Sequence, residues 1–119
     1  MRLASLAAAA TITALTGCTA ASTSRPITAR PTPSSPYEIV IYEYTFKPET
    51  LTVAVGTTVT WVNRDVAPHT ATHRSFGDEP FDSDHMTTNV VFAHKFKIPG
   101  RYDYLCIYHQ GMRGTIVVQ

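Results

Sequence analysis

Several features that usually disclose a function are scarce in this chain. Among 119 residues there are only two cysteines, Cys18 and Cys106, and one tryptophan, Trp61. Neither sign of charge prevails: ten Lys and Arg stand against nine Asp and Glu. That balance lacks the clustered basic face that nucleic-acid binding needs, and it lacks the carboxylate excess of proteins from salt-saturated surroundings. No apolar run reaches the roughly 20 residues of a membrane-spanning helix. The length suits one ordinary domain and not two. Two cysteines in a secreted chain ordinarily read as one disulfide, but these two lie in such different contexts that they imply two separate chemistries.

The first context is the N-terminus. Arg2 is followed by an apolar, Ala-rich run from Leu3 to about Ala14, too short to span a bilayer but suited to a signal-peptide core. It ends in Leu15-Thr16-Gly17-Cys18, which resembles the lipobox of bacterial lipoproteins. The resemblance implies removal of residues 1–17, lipidation of Cys18 and an extracytoplasmic domain anchored to the cell membrane without a spanning helix. The alternative is a plain secretory signal with an incidental cysteine. Residues 18–36 are rich in Ser, Thr and Ala and carry Pro26, Pro31, Pro33 and Pro36. Such a segment buries too little to repay its ordering and stays extended, so it reads as a tether.

Residues 37–119 read as an all-β domain. Short β-branched and aromatic runs are separated by turn residues: Tyr37 to Tyr42, Leu51 to Val55, Thr57 to Asn63, Thr88 to Ile98, Arg101 to Cys106 and Gly114 to Val118. That spacing predicts a β-sandwich or barrel, with Trp61 as its large core side chain. The core of so short a domain is small, and a bound metal would add usefully to its stability.

The chemistry concentrates in Cys106-Ile107-Tyr108-His109-Gln110-Gly111-Met112. Cys106, His109 and Met112 are each separated by two residues, between the predicted end of one strand and the start of the last. Thiolate and thioether are soft donors and imidazole is intermediate. Two His, one Cys and a weak Met are what a mononuclear blue-copper site uses, whereas structural zinc sites prefer four strong ligands. The second imidazole is expected from His69, in the loop that follows the Thr57–Asn63 strand.

These residues, with Phe46-Lys47-Pro48, Val59, Trp61, Asn63, Asp65, Phe96, Pro99-Gly100, Tyr102 and Tyr104, resemble the cupredoxin family of plastocyanin-, amicyanin- and pseudoazurin-like type 1 copper proteins. The resemblance implies a cupredoxin-like Greek-key β-sandwich that holds one copper ion, cycling between Cu(I) and Cu(II). It implies His69, Cys106 and His109 as equatorial ligands and Met112 as the axial one. It further implies a single-electron carrier, a monomer that meets unidentified redox partner proteins through an apolar patch of Pro68, Tyr108, Gly111 and Met112. Members often carry Asn directly after the first histidine. Thr70 stands there instead, so the amide tie between the ligand loops is missing, and loop rigidity and potential stay open.

Other readings remain beside this one. Cys106 alone would pass for a buried thiol, and Met112 for core filling. His73, His85 and His94 read as surface or structural residues, with His85-Met86 in a solvated loop. The acidic loop of Asp78, Glu79, Asp82 and Asp84 offers a way to steer a basic partner. A copper enzyme would need a second ligand cluster, which the sequence lacks. An extracytoplasmic copper carrier or buffer would use the same four ligands, and a metal-free interaction module would use none of them.

Overall fold

The computed structural model describes residues 31–119, together with Gly17. Apart from Gly17, the expected signal peptide, the lipid-bearing Cys18 and the tether through residue 30 lie outside the described residues.

Nine strands follow one another: β1 (Glu38–Tyr42), β2 (Thr45–Lys47), β3 (Thr50–Val53), β4 (Thr58–Asn63), β5 (Thr72–His73), β6 (Phe81–Asp82), β7 (Val91–Lys95), β8 (Gly100–Leu105) and β9 (Arg113–Val118). No helix occurs among the described residues. The strands form one sheet in the order β2-β1-β4-β7 and a second in the order β3-β9-β8-β5-β6. β1 runs parallel to β4 and β3 parallel to β9, while the remaining pairs are antiparallel. The expected all-β sandwich is therefore the fold.

Each of the six expected strands is present, and three short ones were not foreseen. β2, β5 and β6 hold only two or three residues each, too few for alternation to register. Two strands depart from their sequence runs by more than one residue at an end. β3 stops at Val53 because Val55 and Gly56 turn the chain, with Gly56 at φ 88°, a conformation that glycine tolerates best. β7 begins only at Val91, since Asn89 takes φ 66° and its N–H donates to the Asn63 carbonyl at 2.7 Å.

Alternation along the strands builds the core. Val59 and Trp61 of β4, Tyr102 and Tyr104 of β8 and Ile116 of β9 all turn between the sheets. Trp61 is fully buried, with the rings of Phe81, Phe92, Phe96 and Tyr104 around it. A side chain of that size dominates the apolar area removed from water. β7 lies at a sheet edge and alternates between exposed Val91, Ala93 and Lys95 and half-buried Phe92 and His94, the signature of a strand with one solvated face. Gly114 is required where it stands, because a Cβ there would overlap the Tyr104 ring.

The topology brings three connections to one end of the sandwich. These are the β1–β2 turn at Glu43-Tyr44, the loop after β4 that carries His69, and the β8–β9 connection from Cys106 to Met112. Contacts among them are direct: Asp65 of the second accepts hydrogen bonds from the first, and Thr70 meets both Cys106 and Ile107 of the third.

Candidate metal centre

The loop after β4 is fixed by its own polar groups before any ligand is considered. Asn63 closes it from inside: Nδ2 donates to the carbonyls of Ala67 and Met86, and Oδ1 accepts the Asp65 N–H, all at 2.9 Å. Asn63 is fully buried, so these bonds are what make its burial tolerable. His69 is then pinned through its backbone, exchanging hydrogen bonds with Met86 at 3.1 and 3.0 Å. Met86 is itself buried in the core, which corrects the expectation that His85-Met86 lies wholly in a solvated loop; only His85 is exposed.

The orientation of the His69 ring follows from Asp65. Nε2 lies 2.8 Å from the Asp65 carboxylate, so the proton belongs on Nε2 and the Nδ1 lone pair is left free. That arrangement of a carboxylate behind a ligand histidine sets tautomer and ring direction. Burial holds the His69 ring below its ordinary pKa, against the raising effect of Asp65, and His109 lowers it further. Burial pushes the Asp65 carboxyl up, but the Tyr44 and Glu43 N–H groups and His69 outweigh it, and the net shift is downward. A neutral imidazole facing inward and an ionised carboxylate behind it are the states a metal centre requires.

Cys106 lies just past the end of β8 and is fully buried as a free cysteine. Two backbone bonds close the loop it opens: Cys106 N–H donates to the Met112 carbonyl at 3.1 Å, and Met112 N–H to the His109 carbonyl at 2.8 Å. With the loop so folded, the Nδ1 atoms of His69 and His109 lie 3.7 and 3.6 Å from the same Cys106 sulfur. The three donor atoms all fall within 4.8 Å of one another. Met112 is buried in the same core cluster as Cys106. His69, Cys106 and His109 are the one such grouping among the described residues.

Thr70 supplies what the missing amide was expected to supply. Its N–H donates to the Cys106 sulfur at 3.4 Å, and its hydroxyl oxygen accepts the Ile107 N–H at 3.0 Å. The Thr72 hydroxyl lies 2.9 Å from Thr70 Oγ1 and 3.1 Å from Asp82 Oδ1. A hydroxyl has one proton to give, and the Asp82 carboxylate only accepts. The chain therefore runs from Ile107 N–H through Thr70 and Thr72 to Asp82, and a threonine ties the two ligand loops together.

The remaining candidates sort as follows. His73 is buried, with Nδ1 2.6 Å from the Asp103 carbonyl and Nε2 3.1 Å from Asp78. His94 packs on Phe81 and Phe96, and burial lowers its pKa. Exposed His85 reaches the Tyr108 hydroxyl at 3.0 Å. Three acids of the 78–84 loop are engaged within the molecule: Asp78 with His73, Glu79 with the Lys97 N–H, and Asp82 with Thr72 and Arg74. Of the expected apolar patch, Pro68, Tyr108 and Gly111 are exposed, whereas Met112 is buried. The rim instead gains Val66 and Tyr44, 95% and 54% exposed, neither of which the sequence pattern singled out.

One thiolate sulfur, two imidazoles and a nearby thioether form the donor set of a mononuclear copper centre rather than a structural zinc site. Comparison with known proteins agrees. The family model described as a cupredoxin-like domain matches residues 6–118, and the chain belongs to that family. It is 31% identical to amicyanin of Paracoccus versutus over 97 residues, covering 80% of this chain and 74% of that protein. Plastocyanin of Scenedesmus fuscus is 33% identical over 62% of this chain and 86% of its own length. Among solved structures, a reduced amicyanin variant superposes with a TM-score of 0.65 at 32% identity, over 69% of this chain and 80% of that one. A copper-containing nitrite reductase from Thermus scotoductus gives 0.67 at 30% identity, over 78% of this chain but 24% of the enzyme. The cofactor of this fold and donor set is one copper ion.

Proposed function

We propose that the protein is a single-electron carrier with a type 1 copper site, its ligands being His69, Cys106, His109 and Met112. The observation that carries this reading is the convergence of two Nδ1 atoms on one buried cysteine sulfur. Bound copper supplies the one-electron change between Cu(I) and Cu(II). The polypeptide's part is to keep the donors where they are. Asp65 sets the His69 ring, Thr70 holds the Cys106 loop to the His69 loop, and the backbone of Met112 closes the loop around His109. Donors fixed in this way have little rearrangement to make when the charge of the ion changes, which is what fast electron exchange demands.

Access differs around the centre. His69 and Cys106 are fully buried, whereas His109 is half-buried beside exposed Tyr108 and Gly111. His109 is thus the edge through which an electron leaves or enters, and the surrounding patch suits the small contacts of transient redox partners. The relatives named amicyanin and plastocyanin support a carrier rather than an enzyme. The reductase neighbour is matched over a small part of its length. We place the domain outside the cytoplasm, as a monomer on a membrane surface, anchored by lipid on Cys18 and held off by the 18–36 tether.

Voltammetry of the copper-loaded protein tests the function. The expected result is one reversible one-electron wave that persists over repeated cycles. Loss of the wave after the first reduction, with copper released to solution, would make the protein a copper carrier and not an electron carrier.

A further inference from the structure

The turn joining β1 and β2 is built against its sequence. The register pairs Tyr42 with Thr45, which leaves Glu43 and Tyr44 as the two central residues. Both have positive φ, 51° and 57°, as a tight hairpin turn of this hand requires. Such turns favour Asn-Gly or Asp-Gly, because a Cβ is crowded in the left-handed region. Glu and Tyr have no such excuse. Asp65 supplies the compensation from a different loop: Oδ1 accepts the Glu43 N–H at 2.7 Å and Oδ2 the Tyr44 N–H at 2.9 Å. The same Oδ2 faces Nε2 of His69. One carboxylate locks a strained turn and a ligand imidazole together. Strained backbone that persists because its surroundings dictate it concentrates at functional positions.

The side chain so placed is the Tyr44 ring. Its centroid lies 5.4 Å from that of His69 and 4.9 Å from that of His109, with interplanar angles of 87° and 88°. Perpendicular ring pairs at these distances attract. Tyr44 is nonetheless half exposed, so core burial does not account for its position. It forms a wall shared by two surface depressions. One, of about 280 Å³, is bordered by Asp65, Val66 and Ala67; the other, of about 230 Å³, reaches Gly111 and Met112.

We propose that Tyr44 is a shutter over the copper centre: a positioning residue, set in place by Asp65, whose ring steadies His109 and keeps external ligands from the donor cluster. This rests on the copper reading above. The ring governs how fast an outside chelator or reagent reaches the donors, and it leaves the identity of the ligands unchanged. It thereby favours retention of the ion, which separates an electron carrier from a copper carrier built on the same ligands.

Two assays on the full chain, comparing wild type with Tyr44→Ala and Tyr44→Phe, test the proposal. In the first, the copper-loaded protein is reduced with ascorbate and challenged with bathocuproine disulfonate. Tyr44→Ala should surrender Cu(I) about tenfold faster, the loss of two ring contacts, while its Cu(II) absorption band stays in place; Tyr44→Phe should match wild type. In the second, metal-free protein is alkylated with iodoacetamide and modification at Cys106 is followed by peptide mass, which keeps Cys18 out of the count. Cys106 should react several-fold faster in Tyr44→Ala and at the wild-type rate in Tyr44→Phe. Equal alkylation rates for Tyr44→Ala and wild type would overturn the shutter, as would a Tyr44→Phe rate equal to that of Tyr44→Ala. A wild-type protein without a thiolate-to-copper band would defeat the copper reading instead, and the alkylation comparison would still decide whether Tyr44 shields the cluster.

Discussion

The two loops that meet at the copper centre are held in different ways. The His69 loop is anchored from all sides. Buried Asn63 makes three hydrogen bonds, Met86 pairs with the His69 backbone, and Asp65 grips the ring. The Cys106–Met112 loop closes on two backbone bonds of its own and leans on Thr70 for the rest. One loop is a fixed wall; the other carries the proposed port, with His109 half-buried and Tyr108 exposed. An electron carrier needs both, because rigidity keeps the donors in place and an exposed edge lets a partner couple to them. Breaking the wall should therefore cost stability, and altering the port should cost rate.

The largest effect is expected at Asn63. Replacing it with Ala strands the Ala67 carbonyl and the Asp65 N–H and leaves the Met86 carbonyl with the His69 N–H as its one donor, a loss on the order of 3 kcal/mol. Urea denaturation of the metal-free protein measures it; a change below about 1 kcal/mol would mean that the wall does not depend on Asn63. Next comes Thr70→Val, which keeps the shape of the side chain but removes the acceptor for Ile107 N–H. About 1–2 kcal/mol should be lost, with Thr70→Ser recovering most of it. If valine and serine behaved alike, the tie between the loops would not run through the hydroxyl.

A smaller effect belongs to neither loop and serves as a control on the comparison. His94 packs among Phe81 and Phe96, and burial depresses its pKa below the ordinary 6.5. The unfolded chain therefore takes up a proton at a pH where the folded one still resists it. Stability contributed by the neutral ring is full above pH 6.5 and declines as pH falls from there toward the depressed folded value. The denaturation midpoint of wild type should accordingly fall faster than that of His94→Phe as pH is lowered through this window. Parallel midpoints would remove His94 from the account. The smallest change in stability is expected at the rim beside the port, where the His69 loop exposes Val66. Val66→Lys puts a charge on a side chain already 95% exposed, so stability should move by less than about 0.5 kcal/mol. Electron self-exchange should nevertheless slow, since two like-charged patches must then meet. An unchanged exchange rate would place the port elsewhere.

How much of this was legible in the sequence depends on whether a feature is local. The ligand loop was readable because Cys106, His109 and Met112 sit two residues apart in one segment. His69 was readable as the imidazole after a strand that ends near the same edge. The strands around Trp61 announced themselves by alternation and β-branched residues. What escaped has a common cause: it depends on contacts between distant segments. Nothing near Thr70 says that its hydroxyl will meet Ile107. Glu43-Tyr44 gives no sign of a left-handed turn, since the carboxylate that permits it comes from Asp65 more than twenty residues later. The acidic 78–84 loop suggested a steering surface by its charge, but three of its carboxylates find partners inside the molecule. Met86 looked solvated until the β-bridge to His69 buried it.

The central claim is that Cys106 and the two imidazoles would hold one copper ion, with the Cys106 thiolate as a ligand. The visible absorption spectrum of the purified protein with one equivalent of Cu(II), recorded beside Cys106→Ala, tests it most directly. The account predicts an intense blue band in the wild type that bleaches on reduction and is missing from the variant. A weak, pale spectrum that is the same in both proteins would contradict it.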